Sequence, residues 1–366
     1  MRLPVAAGLV VLLAGPGTAA GGSQGLSPAY RSLVERYVAG DREAAAADLA
    51  AWGEARLQQE ALALDALQKT ALACPLCPAS AEWHRIGRAA LMLQTDCARL
   101  ARRDGQPAQA KEAAAAQIAR LLASDPDGRS FVERWFLSMV GLAQGENRWD
   151  DAVDWAEAGL RELPASPELL LARGSTAETL GVQAALPAIE PALVADPSQR
   201  RLNRQRQQDV LFQLERALGS FQAALAAAPG LPEARLRVGR VQWRLGRDPE
   251  ARQTLEGLLA TRAAGSSTFL AHLFLGRVHE DAGRLVEALA SYESALALHP
   301  RAQSALVARS HLRLRRGDAA GARRDTETAV AAGGHRLVED PYWLYPWGAA
   351  VGAAERLEAL RREASP

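Results

Sequence analysis

The sequence predicts an all-α protein, an α-solenoid assembled from repeated pairs of amphipathic helices. Runs such as "REAAAADLAAWGEARL" and "AKEAAAAQIARLL" consist mainly of residues that lose little conformational freedom on entering a helix. Helical pairs separated by a glycine turn also recur with similar spacing, and a recurring spacing is more specific than a single match. With 366 residues, of which 48% are hydrophobic, the chain is long enough for two domains or one extended array.

The first twenty residues, "MRLPVAAGLVVLLAGPGTAA", are organised like a signal peptide. Arg2 supplies a positive start, residues 5–14 form a short apolar run, and Thr18, Ala19 and Ala20 are small residues suited to cleavage. The apolar run is shorter than the roughly 18 to 20 residues that a membrane-spanning helix needs, which disfavours the alternative of a retained anchor helix. We therefore expect an exported protein, periplasmic or secreted, with no membrane span in the mature chain.

Two of the three cysteines form a C-x-x-C pair in the segment "CPLCP". Because thiols tend to pair outside the cytosol, we expect a structural disulfide among Cys74, Cys77 and Cys97, for instance one that ties a helical hairpin. Pro78 follows the pair, which excludes the C-x-x-C-H haem motif, and no strand-like alternation lies nearby as in a thioredoxin-like site. A redox pair and a zinc site that adds His84 are the alternatives left open. No metal is expected.

Residues 269–300, "FLAHLFLGRVHEDAGRLVEALASYESALALHP", show the repeating unit most clearly. Gly283 separates two amphipathic helices, and Pro300 ends the second. The small residues Gly276 and Ala288 allow the two antiparallel helices to approach closely, and Tyr292 fills the space beside them. Such a hairpin cannot bury its apolar faces alone, so neighbouring hairpins are expected to stack on it.

This unit resembles the tetratricopeptide (TPR) repeat, in which these small residues, an aromatic residue and a closing proline recur about every 34 residues. About six such units are predicted within residues 131–333, most clearly at 232–333. Residues 26–130 are predicted to form divergent hairpins, and residues 334–366 an aromatic segment and a capping helix. The resemblance implies a right-handed superhelix whose first helices line a concave groove.

The resemblance also implies a protein or peptide partner bound along that groove. The family's groove positions correspond here to Glu168, Ser175, Glu178, Arg240, Trp243, Arg244, Arg277, Glu280, Asp281, His311 and Arg315. Trp243 is a candidate hot spot, with packing against a neighbouring repeat as the alternative. The arginines favour an acidic partner segment. The lysines and asparagines of carboxylate-clamp TPR proteins are missing, so recognition of a terminal carboxylate is not implied.

Two other segments have conspicuous compositions. The stretch "QRRLNRQRQQD" is predicted to be a solvated helix face and not a nucleic-acid contact, because the net charge of the chain is only +1. The stretch "DPYWLYPWG" gathers four aromatic residues before a final amphipathic helix. Because terminal repeats of an array need a cap, this region is predicted to cap the last repeat, with a carbohydrate or partner platform as the alternative.

Catalytic motifs are missing from the sequence. It contains no G-x-S-x-G, no H-E-x-x-H, no phosphate-binding loop and no dinucleotide fingerprint. We therefore expect a protein that is not an enzyme and has no cofactor. The favoured hypothesis is an exported TPR scaffold that mediates protein–protein interactions, and the alternative is a thiol-dependent assembly or redox helper that uses the C-x-x-C pair.

Overall fold

A computed structural model of the protein describes residues 25–73, 78–185, 197–261, 265–332 and 340–365. These residues form sixteen α-helices and two short 3-10 segments. The helices are α1 (Pro28–Val38), α2 (Arg42–Ala50), α3 (Glu54–Ala73), α4 (Pro78–Arg103), α5 (Gln109–Ala123), α6 (Pro126–Gly145), α7 (Trp149–Glu162), α8 (Pro167–Ala185), α9 (Pro197–Ala227), α10 (Pro232–Arg244), α11 (Asp248–Ala260), α12 (Ser266–Asp281), α13 (Leu285–Leu298), α14 (Gln303–Arg315), α15 (Ala319–Ala331) and α16 (Ala353–Glu363). The predicted signal peptide lies outside the described residues.

Consecutive helices pack as hairpins from α4 to α15, and each hairpin stacks on the next. The predicted fold class, an all-α array of helical hairpins, is confirmed. The expected number of units between residues 131 and 333 needs correction, because the helices from α6 to α15 form five hairpins. Helices α8 and α9, whose sequences each contain part of a repeat-like pattern, pack against each other as one hairpin.

Close approach of the two helices is achieved in the same way in three hairpins. A Cβ atom added at Gly276 would overlap the ring of Tyr292, which is completely buried. Gly174 has the same relation to the ring of Phe221, and Gly239 has a similar one to the side chain of Leu255. The predicted packing of a small residue against a large one is therefore present, and these glycines are required by space and not by backbone conformation.

The C-terminal region runs back across the whole array. We call the face lined by the first helices of the hairpins the groove, and residues 340–365 the C-terminal tail. The tail begins at α14, where Asp340 accepts hydrogen bonds from the backbone and side chain of Ser304. Its 3-10 segments, Pro341–Trp343 and Tyr345–Ala350, then pass α12, α8 and α6, and α16 packs on α6 and α4. The tail therefore occupies the groove in the opposite direction to the chain order of the array.

Helix α16 is anchored by both apolar and charged contacts. Leu357 and Leu360 are completely buried in the core of the N-terminal half. Arg361 donates to Asp96 on α4 at 2.9 Å, and Glu363 accepts from Arg134 on α6 at 2.7 Å. The expectation that this helix caps the last repeat is corrected, because its apolar side finds a matching surface on α6 and α4 inside the groove.

A buried cluster of four residues, which we call the Glu178 cluster, joins the tail to the array. Glu178 on α8 accepts a hydrogen bond from Arg237 at 3.1 Å, one from Arg240, and one from the Tyr345 hydroxyl of the tail at 3.2 Å. The Arg237 guanidinium also donates to the carbonyl of Tyr345 and lies 4.3 Å from its ring centre. None of the four residues is more than 8% exposed. Burial raises the pKa of Tyr345, so this phenol is the neutral donor that the Glu178 carboxylate requires.

Gly276→Ala is expected to lower the free energy of unfolding by about 1–3 kcal/mol, because the added methyl group must displace the Tyr292 ring in a filled space. Gly219→Ala is the matched control. Gly219 lies inside α9 with nothing within 4 Å of an added Cβ, so this change is expected to stabilise by about 0.5–1 kcal/mol. Urea denaturation followed by circular dichroism measures both. Equal effects at the two sites would contradict the packing role of Gly276.

Glu178→Gln is expected to lower the free energy of unfolding by about 3 kcal/mol, because it leaves the buried Arg240 guanidinium without its counter-ion and Arg237 with Glu233 alone. Glu215→Gln is the control, since Glu215 and its partner Arg247 are 49% and 43% exposed and such a pair contributes at most about 1 kcal/mol. Urea denaturation again provides the measurement. A loss no larger than that of the control would show that the cluster does not hold the tail.

Candidate partner-binding site

The residues predicted to line the groove fall into groups with different roles. Glu178 and Arg240 belong to the Glu178 cluster and are 3% and 8% exposed. Ser175 is also buried, at 3% exposed, and lies against Gly348 of the tail. Glu168 remains exposed. The expectation that all these side chains face solvent is therefore wrong for the first three, because the tail covers this part of the groove.

A second buried carboxylate, Glu280 on α12, organises the predicted residues nearer the end of the array. It accepts hydrogen bonds from Tyr292 at 2.8 Å and Arg315 at 3.0 Å, and its oxygen lies 2.9 Å from His311 Nδ1. Arg277 lies 3.7 Å away. Burial alone would raise the pKa of Glu280, but the hydrogen bonds outweigh it and the pKa is lowered. Glu280 is 3% exposed, so its predicted solvent-facing position is also corrected.

Trp243 and Asp281 lie together at the edge of the groove. The indole Nε1 donates a hydrogen bond of 2.8 Å to Asp281, and the ring packs partly buried against the apolar core of the neighbouring hairpins. The packing interpretation of Trp243 is therefore supported, whereas its role as a binding hot spot stays a prediction. One part of the indole packs between repeats, and another part lines an open cavity.

The open cavity, which we call the groove cavity, lies between the last three hairpins and the start of the tail and has a volume of about 700 Å³. Its walls are formed by α10, α12, α14 and the first 3-10 segment of the tail. The side chains that line it include Arg240, Trp243, Arg244, Phe274, Arg277, Tyr342 and Trp343. Four of the predicted groove residues thus meet in one cavity.

The charge of the groove cavity is unbalanced. Among the described residues, three arginines line it and no acidic residue does. The Arg240 guanidinium binds Glu178, and Arg277 lies near Glu280. Arg244 has no ion pair or hydrogen bond with any other described residue, and burial together with the charge of nearby Arg240 lowers its pKa. A guanidinium remains charged despite such a shift, so this arginine is a cation without a counter-ion in the described part of the chain.

Sequence reasoning missed two parts of this site. Arg237 was not among the predicted groove residues. It precedes Arg240 by three residues and Arg244 by seven, and this spacing places all three on the same side of α10. The aromatic residues Tyr342 and Trp343 were assigned to a terminal cap, yet they form a wall of the groove cavity. The prolines and aromatic residues of this segment were the available signal for this wall, because aromatic rings in a segment without helical periodicity pack against another element of the fold.

A disulfide that involves Cys97 is excluded by the length of α4. Pro78 and Cys97 lie in this one continuous helix, and a rise of about 1.5 Å per residue separates them by roughly 28 Å. The chain from Pro78 back to Cys74 spans at most about 14 Å, whereas a disulfide needs Cα atoms within about 7 Å. Cys97 is a buried free thiol, and burial raises its pKa to about 11. Cys74 and Cys77 lie outside the described residues, so a disulfide or redox role for this pair stays a prediction.

The alternative zinc site is excluded by the same helix. His84 and Cys97 both belong to α4, where thirteen residues of helix separate them by about 20 Å. His84 instead faces Asp125, with its Nδ1 3.2 Å from a carboxylate oxygen, and Asp127 lies close to both. Asp125 also accepts the backbone N–H of Asp127 as the N-cap of α6, so capping and the contact with His84 explain this acidic pair.

A second cavity of about 700 Å³ lies between the N-terminal hairpins and α16. Arginines dominate its lining, but carboxylates balance them, as in the pair of Arg102 with Glu112 at 2.8 Å and that of Arg361 with Asp96. Because these charges are balanced, the groove cavity is the stronger candidate for partner binding.

Among the helices of the described residues, none is long and apolar enough to cross a membrane.

Comparison with known proteins places the repeats within a family. Two tetratricopeptide repeat profiles match residues 212–266 and 271–306. One similar solved structure is MamA, residues 41 to the end, from Desulfovibrio magneticus RS-1, with 15% identity, a TM-score of 0.40, and coverage of 55% of this chain and 94% of that chain. Another is YrrB, described as a TPR protein with an unusual peptide-binding site, with 13% identity, a TM-score of 0.36, and coverage of 60% and 90%. No curated protein matches the chain.

The two matched profiles cover α10, α11, α13 and most of α12, which carry two of the three glycine contacts and much of the lining of the groove cavity. The same hairpin geometry continues in the neighbouring helices α6 to α9. The chain therefore contains tetratricopeptide repeats within residues 212–306.

Proposed function

We propose that this TPR protein is an exported scaffold that binds a segment of a partner protein in the groove cavity. TPR arrays bind protein or peptide partners along the face of their first helices. In this chain the C-terminal tail covers that face from α4 to α10, and the groove cavity is what stays open beside it. The observation that carries the proposal is this open, aromatic cavity at an otherwise filled groove.

Exposed apolar side chains near the cavity support a macromolecular partner. Val307 of α14 is 51% exposed and lines the groove cavity. Along the tail, Trp343, Leu344 and Trp347 are 37%, 40% and 46% exposed. Large exposed apolar side chains that cluster in this way are typical of interaction surfaces. A partner segment seated in the cavity would extend onto the outer side of the tail.

Export is part of the proposal and rests on the N-terminal sequence. A positive residue, a short apolar run and small residues before the cleavage position are the three features of a secretory signal. An exported scaffold would meet its partners in the periplasm or outside the cell. Catalysis is not part of this function, because binding through a groove requires no reacting group.

A photoreactive benzoylphenylalanine at Val307 is expected to crosslink a partner in native envelope fractions, because this side chain lines the groove cavity. The same substitution at Val286 is the matched control, since Val286 is 68% exposed on α13, a second helix of its hairpin. Mass spectrometry of the crosslinked bands identifies the products. The same products from both positions, or none from position 307, would contradict the proposed site.

The mature protein is expected to begin at Gly21, because Thr18 and Ala20 are the small residues that signal peptidase requires at such positions. Intact mass and N-terminal peptide analysis of the envelope and secreted fractions test this. Ala20→Arg is expected to leave an uncleaved precursor, whereas Ala14→Leu, which keeps the apolar run, is expected to be processed normally. A full-length chain confined to the cytosol would show that the protein is not exported.

A further inference from the structure

The groove cavity holds guanidinium donors that have no partner among the described residues. Arg244 is half-buried and makes no ion pair or hydrogen bond with any other described residue. The Nε–H of Arg240, a residue only 8% exposed, also has no hydrogen-bond partner among the described residues. Buried donors of this kind are normally satisfied, because leaving them unpaired is unfavourable. Their position on one cavity indicates an acceptor that the described residues do not supply.

The walls of the cavity restrict the chemistry of that acceptor. Phe274, Tyr342, Trp343 and Trp243 supply aromatic surface, and no acidic side chain in the described part of the chain lines the cavity. Limited access of water strengthens a hydrogen bond between a guanidinium and an anion. Arg277 and Arg240 already have Glu280 and Glu178 as counter-ions. One unbalanced cation matches one negative charge, which fits a carboxylate better than a multiply charged phosphate.

We propose that the groove cavity binds the carboxylate of an aspartate or glutamate side chain in an extended partner segment, with Arg244 as its counter-ion. This inference rests on the proposed function and specifies the ligand. A neighbouring apolar side chain of the segment packs against Tyr342 and Trp343, which the tail supplies. The site is therefore composite, because α10 provides the cations and the C-terminal tail provides an aromatic wall.

Selection of peptides from a random dodecapeptide phage library against the full mature chain tests the proposal. The expected result is a set of peptides enriched in aspartate or glutamate next to an aromatic or aliphatic residue. Fluorescence anisotropy of a selected, labelled peptide then compares variants. Arg244→Gln is expected to weaken binding roughly tenfold to a hundredfold, as for loss of a charge-assisted hydrogen bond. Arg244→Lys, which keeps the charge but not the planar fork, is expected to lose less.

Arg235→Gln is the matched control, because it removes the same charge from the same helix at a residue that contacts the carbonyl of Gly257 and does not line the cavity. It is expected to leave binding unchanged. Replacing the acidic residue of the peptide by its amide is expected to weaken binding to the wild-type chain about tenfold or more and to have little effect in Arg244→Gln, as for two directly interacting groups. Circular dichroism verifies that each variant is folded.

The outcomes separate this inference from the proposed function. Selected peptides without acidic enrichment, or equal binding to wild type and Arg244→Gln, would overturn the carboxylate assignment and leave a peptide-binding scaffold in place. Failure to select any peptide would also overturn it, while crosslinking from position 307 decides the proposed function independently.

Discussion

The arrangement of the groove depends on the hydrogen bonds and ion pairs of the buried Glu178 carboxylate. Transfer of a carboxylate and two guanidinium groups out of water is strongly unfavourable unless each group is paired and hydrogen-bonded. Arg237, Arg240 and the hydroxyl of Tyr345 meet that condition from two different parts of the chain. Because these charges are stable only in each other's presence, α8, α10 and the tail adopt one relative position.

The path of the tail follows from that constraint and from its own backbone. Most of residues 340–352 lie outside α-helix, so their polar backbone groups need partners when they are buried. Side chains supply several of them: Arg237 donates to the carbonyl of Tyr345, Thr179 to that of Pro346, and Arg356 to that of Val351. Gly141 on α6 lets the backbone at Ala349 approach, since a Cβ at this position would overlap that carbonyl. The groove thus binds its own chain with the interactions expected for an extended peptide.

The hairpins could be predicted from the sequence, whereas the course of the tail could not. Gly276 and Tyr292 lie sixteen positions apart in one unit, so their contact follows from helical period and turn position. The contact of Glu178 with Tyr345 joins residues 167 positions apart, and no local pattern carries that information. The same limit explains the missed Arg237, because its contact with Glu233 on α10 is local but its contacts with Glu178 and Tyr345 join distant parts of the chain. The number of hairpins was predicted wrongly because α9 is 31 residues long. Its N-terminal part extends beyond the length of a helix in a regular repeat and has no counterpart there.

Occupation of the groove by the tail changes what partner binding requires. An empty TPR groove offers a long surface on which an extended peptide must become ordered, and this ordering is unfavourable. Here the tail already occupies most of that surface, and Tyr342 and Trp343 line the same cavity as Arg244 in the absence of a partner. Binding then needs only a short segment, and its specificity depends on a few contacts at a preformed cavity. Under the proposed function, an array of this kind would recognise one anchoring residue in a partner, and Arg244, which has no counter-ion among the described residues, makes an acidic anchor the chemically consistent choice.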